Sequence, residues 1–214
     1  MLTLGTGLWF ALFDSPPDYQ QGETVRIMYI HVPSAWMAMM VYTTMAVASA
    51  VALVWRHPVA ELYTKAAAPL GAGFTALCLL SGSLWGQPMW GTWWVWDARL
   101  TSELILFFIY LGFIALQAAI DDPRRADKAG AILAVVGVIN VPIIYFSVKW
   151  WNTLHQGASV SLTQAPSMAR TMLWGMLLTA LAFWMYSIAV VLARVRCIIL
   201  ERERHTEWVK HALE

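Results

Sequence analysis

Charged side chains make up only 13% of the 214 residues, and cysteine occurs just twice. So small a charged fraction, against 59% hydrophobic residues, excludes an ordinary soluble domain and argues for a bilayer as solvent. Neither sign of charge dominates: 14 basic and 13 acidic residues leave a formal net charge of +1, which offers no electrostatic footprint for nucleic acid. Cys78 sits in an apolar run and Cys197 in a basic segment near the C-terminus, so the pair fits neither a disulfide framework nor a thiolate metal site. The chain also lacks a linker, a composition shift and an internal repeat, and residues 1–214 are read as one domain.

What it has instead is a series of apolar runs, each about 20 residues long, the length a helix needs to cross the hydrocarbon core. Five spans are expected, at 33–55, 66–85, 100–120, 129–148 and 171–195. Residues 1–13 are apolar but about seven short of a crossing, and fit neither a full span nor a signal peptide. They are read as the end of a first span. Strand-like alternation is missing, so the expected fold class is an all-α polytopic membrane protein, a six-transmembrane-helix bundle with a short first span. Pro142 is placed to kink its span.

Lysine and arginine sort by side. Arg56, Lys65, Arg124, Arg125, Lys128, Arg194, Arg196, Arg202, Arg204 and Lys210 flank one set of span ends; Arg26, Arg99, Lys149 and Arg170 flank the other. The larger set marks the cytoplasm. The connections near 14–32, 86–99 and 149–170 then face outward, while His57, His205, His211 and the C-terminus stay inside. The mixed charges of 201–214 read as a solvated helix end.

Five of the thirteen tryptophans, Trp85, Trp90, Trp93, Trp94 and Trp96, fall in the stretch from Trp85 to Thr101, and Trp150 and Trp151 begin the third outer connection. An interfacial aromatic belt would populate both membrane faces, yet only Trp55 and Trp208 lie on the inner side. A flat apolar platform accounts better for the crowding: rigid indoles cover a large ring system at low entropic cost and keep an N–H for polar groups, and a porphyrin is such a ligand. The i, i+3, i+4 spacing of Trp90, Trp93 and Trp94 predicts one face of a surface helix, its approach bent by Gly86, Pro88 and Gly91. Asp97 precedes an apolar run, where a carboxylate can cap the helix. Two roles are open to Arg99: pairing with Asp97, or meeting an anionic carboxylate with its forked donors.

Two histidines end outward-facing segments, His31 in Tyr-Ile-His-Val-Pro and His155 in Trp-Trp-Asn-Thr-Leu-His-Gln-Gly. Neutral imidazole is a usual axial ligand of heme iron, and the two would fill both axial positions if the bundle closed their 124-residue separation. Arg26, Arg99 and Lys149 are candidate partners for heme propionates. No third outward histidine and no HExxH spacing points to zinc.

The run from Trp90 to Thr101, Trp-Gly-Thr-Trp-Trp-Val-Trp-Asp-Ala-Arg-Leu-Thr, resembles the WWD signature of heme-handling proteins, and together with the two histidine segments it most resembles the CcmC family of cytochrome c maturation. The resemblance covers nearly the whole chain. It implies a non-enzymatic, six-span protein of the bacterial inner membrane with a Trp-rich periplasmic segment, which binds heme b (iron protoporphyrin IX) transiently. It implies His31 and His155 as the axial ligands and a cradle of Trp90, Trp93, Trp94, Trp96, Asp97 and Arg99, with Arg26 in the matching first outer loop; Trp85 joins the candidates from the tryptophan crowding. The implied partners are the heme chaperone CcmE, the ABC transporter subunits CcmA and CcmB and the small membrane subunit CcmD. The short first span departs from the family pattern without touching a motif residue. Two other readings stay open: a membrane b-type cytochrome, which would place histidine pairs within the spans, and a transporter permease, which broken spans or buried charges would favour.

Overall fold

Sequences this apolar satisfy their backbone groups within each segment, and the long apolar segments are helices. The structure is a computed structural model and describes residues 2–157, 159–160 and 165–209. Lys210 and His211, assigned above to the inner tail, lie outside them. We number the helices α1 Leu2–Trp9, α2 Met28–Trp55, α3 Pro58–Trp90, α4 Ala98–Ala119, α5 Pro123–Gly137, α6 Asn140–Trp150 and α7 Arg170–Arg202. A π turn carries α1 on to Asp14 and a 3-10 turn, Glu23–Ile27, leads into α2. Five segments are long and apolar enough to cross a membrane, α5 and α6 together making one of them; Leu2–Asp14 is the shorter apolar helix. The described residues form no strand.

Helices α2 and α3 share the broadest contact; α4 packs on α3, α5 and α6, and α7 on α1, α2 and α3. The centre is aromatic and small at once. Tyr110 is fully buried and its hydroxyl donates to Ala38 O at 2.8 Å, tying α4 to the middle of α2. It lies so close over Gly71 that a Cβ there would overlap its ring. Gly137 likewise admits the Tyr42 hydroxyl.

The fourth long segment is broken where the sequence puts Pro142. Proline cannot donate to Val138 O, and the chain takes tighter turns there, with Ile139 N donating to Val136 O and Val141 N to Val138 O, before α6 begins. At one end of the bundle Asp127 meets Lys65 at 2.6 Å and Arg202 at 3.4 Å, joining α3, α5 and α7. The opposite end carries the tryptophan segment and both histidines.

The tryptophan segment differs from its expected form. Helix α3 runs through Gly86 and Pro88 without ending and stops at Trp90, because Gly91 adopts a left-handed conformation (φ 74°) that closes the helix. Residues 91–97 are not helical, so Trp90, Trp93 and Trp94 do not share a helix face. A positive-φ glycine between the first and second tryptophan overrides the i, i+3, i+4 spacing.

Candidate functional site

A cavity of about 30 Å³, room for about one water, lies between the start of α2, the end of α3, the 91–97 loop, the start of α4 and the chain after α6. His31, Cys78, Gly82, Ser83, Trp94, Arg99, Glu103 and His155 are among the residues that line it. Two imidazoles distant in sequence therefore face one hole.

His31 is the fourth residue of α2 and leans on α3. Its Nδ1 lies 3.0 Å from Cys78 O and 3.1 Å from Ser81 Oγ. A carbonyl can only accept, and the Ser81 hydroxyl already donates to Leu77 O at 2.6 Å, so both contacts require the proton on Nδ1. In the neutral ring this leaves Nε2 with its lone pair, the tautomer a metal-ligating imidazole needs. Gly82 makes the space, since a Cβ there would stand 2.9 Å from His31 Cε1. Trp85 holds the ring edge-on with centroids 5.6 Å apart, and is itself fixed by donating from Nε1 to Gln21 Oε1 at 3.0 Å.

His155 belongs to the loop after α6. Burial first, and then the Arg99 guanidinium, push its pKa down to about 4, while Asp97 opposes the shift. The ring is neutral at physiological pH and available as a donor to a metal. Among the described residues its buried Nδ1 has no hydrogen-bond partner, and Asp97 Oδ2 is 3.7 Å away, beyond hydrogen-bond range. Asp97 does what its position before α4 predicts: Oδ1 accepts from Leu100 N at 2.8 Å and caps the helix. Its second oxygen accepts from Leu154 N at 3.3 Å, tethering the histidine loop to α4.

The tryptophans divide. Trp90 folds back over Gly86 and packs on His155, centroids 5.0 Å apart. Trp94 lines the cavity and its Nε1 is buried without a partner. Trp96 stacks edge-on against Trp94 but is 75% exposed, and Trp93 is 58% exposed, so these two present indoles outward rather than to the histidines. The arginines divide as well. Arg99 reaches inward, lines the cavity and donates to Ile144 O on α6 at 2.7 Å, not to Asp97. Arg26 does not line the cavity: it meets Glu23 at 2.5 Å and donates to Ala11 O at 2.6 Å and to Ser15 Oγ at 3.2 Å, fastening the N-terminal helix. Lys149 lies over the Phe146 ring, 5.9 Å from its centroid.

Reading by motif passed over Cys78, Ser81, Gly82 and Glu103. Glu103 carried a signal: it is the only acidic residue in Ala98–Ala119, and a lone carboxyl in an apolar span marks a site by default. It is 4% exposed and its Oε1 has no partner. Cys78, Ser81 and Gly82 look like ordinary small residues of a packed span.

Among the described residues no three His, Cys, Asp or Glu side chains cluster to hold a bare metal ion. Two neutral imidazoles, an apolar indole wall and an inward guanidinium instead suit a group that brings its metal in a flat macrocycle, leaving two positions to the protein. The cavity is smaller than such a group.

The family model described as heme exporter protein C matches residues 1–210. Curated relatives of that name include one from Bradyrhizobium diazoefficiens, 55% identical over 202 residues (94% of this chain, 76% of the relative). Others come from Haemophilus influenzae, 50% identical over 210 residues (98% and 85%), and Escherichia coli strain K12, 48% identical over 215 residues (100% and 85%). A multi-pass helical bundle, the tryptophan segment and a match along nearly the entire chain agree: the protein belongs to the CcmC, heme exporter protein C, family.

Proposed function

We propose that this protein binds heme b transiently on the periplasmic face of the bacterial inner membrane and hands it to the chaperone CcmE during cytochrome c maturation, beside CcmA, CcmB and CcmD. The observation that carries the reading is the shared cavity of His31 and His155. In this reading Nε2 of each imidazole takes one axial position of the iron. Trp90 and Trp94 cover the porphyrin, and the free Trp94 N–H meets a polar group at its edge. Cys78 O and Ser81 orient His31 through its Nδ1 proton, an outer partnership that sets ligand geometry, whereas Asp97 steadies the loop of His155 by accepting from Leu154 N. Arg99 lies close enough to add positive charge near the iron site. The exposed faces of Trp93 and Trp96 are left for the periplasmic acceptor. The lysine and arginine distribution supports a cytoplasmic C-terminus.

The chain acts by binding and release rather than by catalysis in this account. The Soret absorbance of the purified, heme-loaded protein tests it. The double variant His31→Ala/His155→Ala is expected to lose that band, and a full band would refute the ligand assignment.

A permease is the second reading, favoured by the break between α5 and α6 and by buried Glu103. Against it, the break is packed by Tyr42, whose hydroxyl donates to Leu133 O at 3.4 Å beside Gly137. A b-type cytochrome fits less well, since His31 stands in the first turn of its helix and His155 in a loop.

A further inference from the structure

We infer that His31 is the ligand that holds the iron and His155 the ligand that lets go when heme is handed on; this rests on the heme reading above and deepens it. The two histidines have unlike support. His31 is built into α2, its Nδ1–H has two acceptors on α3, Trp85 braces the ring, and α2 and α3 form the broadest helix contact of the fold. Moving it means separating those two helices. His155 stands on a loop: Trp90 packs on its ring as Trp85 does on His31, but among the described residues its Nδ1 has no hydrogen-bond partner, and a 3.3 Å bond from Leu154 N to Asp97 ties that loop to α4. The helix before it, α6, is only Asn140–Trp150, starts at the proline break and has α4 as its main partner, through Arg99 to Ile144 O and Asn140 Nδ2 to Ser102 O at 2.8 Å.

Because the cavity is smaller than a porphyrin, heme enters and leaves only when one wall moves, and the wall that carries His155 is the weaker one. On release the bond between iron and His155 Nε2 breaks and its electron pair stays on the imidazole. No proton or electron is transferred. The vacated iron position is then open to a ligand from the acceptor while His31 still holds the other.

Ferric heme and cyanide test this on the full-length protein in detergent. His155→Ala is expected to keep heme through gel filtration with a five-coordinate spectrum, whereas His31→Ala loses it. The opposite order, or equal loss, overturns the inference. Since His31→Ala can fail to fold, cyanide displacement gives an independent measure. Asp97→Asn keeps the α4 cap through Oδ1 but sets an amide N–H against Leu154 N where Oδ2 accepted, loosening the loop of His155, and is expected to speed displacement about tenfold. Asp122→Asn, the same change at the distant α5 cap, is expected to leave the rate unaltered. A wild-type rate in Asp97→Asn overturns the inference. In the apoprotein, carbethoxylation is expected to modify His155 before His31, and the reverse order counts against it. If the double alanine variant keeps its Soret band, the heme reading itself has failed, which none of these other outcomes would imply.

Discussion

Gly82→Ala separates the site from the fold. Gly82 lies inside α3, where alanine is favoured over glycine by about 1 kcal/mol. The new methyl would stand 2.9 Å from His31 Cε1 and 3.4 Å from Nδ1. Carbon atoms rest at about 3.5–4.0 Å, so the imidazole must retreat by roughly 0.6 Å or more. That movement lengthens the 3.0 Å and 3.1 Å contacts of Nδ1 to a range in which they are no longer hydrogen bonds, a loss of about 1 kcal/mol. The two effects nearly cancel in stability. They do not cancel in ligation, because the ring has lost the partners that fixed its tautomer and aim, a change that costs about 10- to 100-fold in metal affinity. Thermal unfolding of the apoprotein in detergent should therefore be almost unchanged while titration with hemin, followed at the Soret band, shows the weaker affinity. Wild-type affinity in Gly82→Ala would refute the reasoning that His31 ligates in the geometry described.

Further outcomes follow from the same contacts. The folded pKa of His155, about 4, is below its ordinary 6.5, so its contribution to stability is full above pH 6.5 and is lost as pH falls toward 4. The stability difference between wild type and His155→Ala should shrink by roughly 3 kcal/mol between pH 7 and pH 4, measured by chemical unfolding at each pH, and a constant difference would contradict the burial of this ring. Trp94→Phe removes an indole N–H that has no protein partner, so apoprotein stability should move by less than about 1 kcal/mol while heme retention falls; equal heme retention would show that this N–H meets nothing on the cargo. Gly71→Ala drives a methyl into the buried Tyr110 ring and should destabilise the bundle by about 1–3 kcal/mol in a thermal melt, with Gly73→Ala, where the added methyl meets open space, as the tolerated neighbour.

The sequence by itself determined the membrane-spanning helices, the cap at Asp97 and the break near Pro142. These depend on contiguous residues: lipid demands that each segment satisfy its own backbone, a carboxylate ahead of a helix meets the free N–H groups of its first turn, and proline lacks a donor wherever it stands. It also supplied the histidines and tryptophans as chemical types. What it could not order was their arrangement. The spacing of Trp90, Trp93 and Trp94 suggested a helix face, and the left-handed Gly91 divided them between a helix end and a loop. Arg26 and Arg99 look equivalent as charges near span ends, yet packing turned one toward the N-terminal helix and the other into the cavity. Gly82 and Cys78 became part of the site only because α2 lies against α3 there, and His31 met His155 only because helices between them brought the first and last loops together. Such convergence comes from helix packing over 124 residues, and no local pattern encodes it.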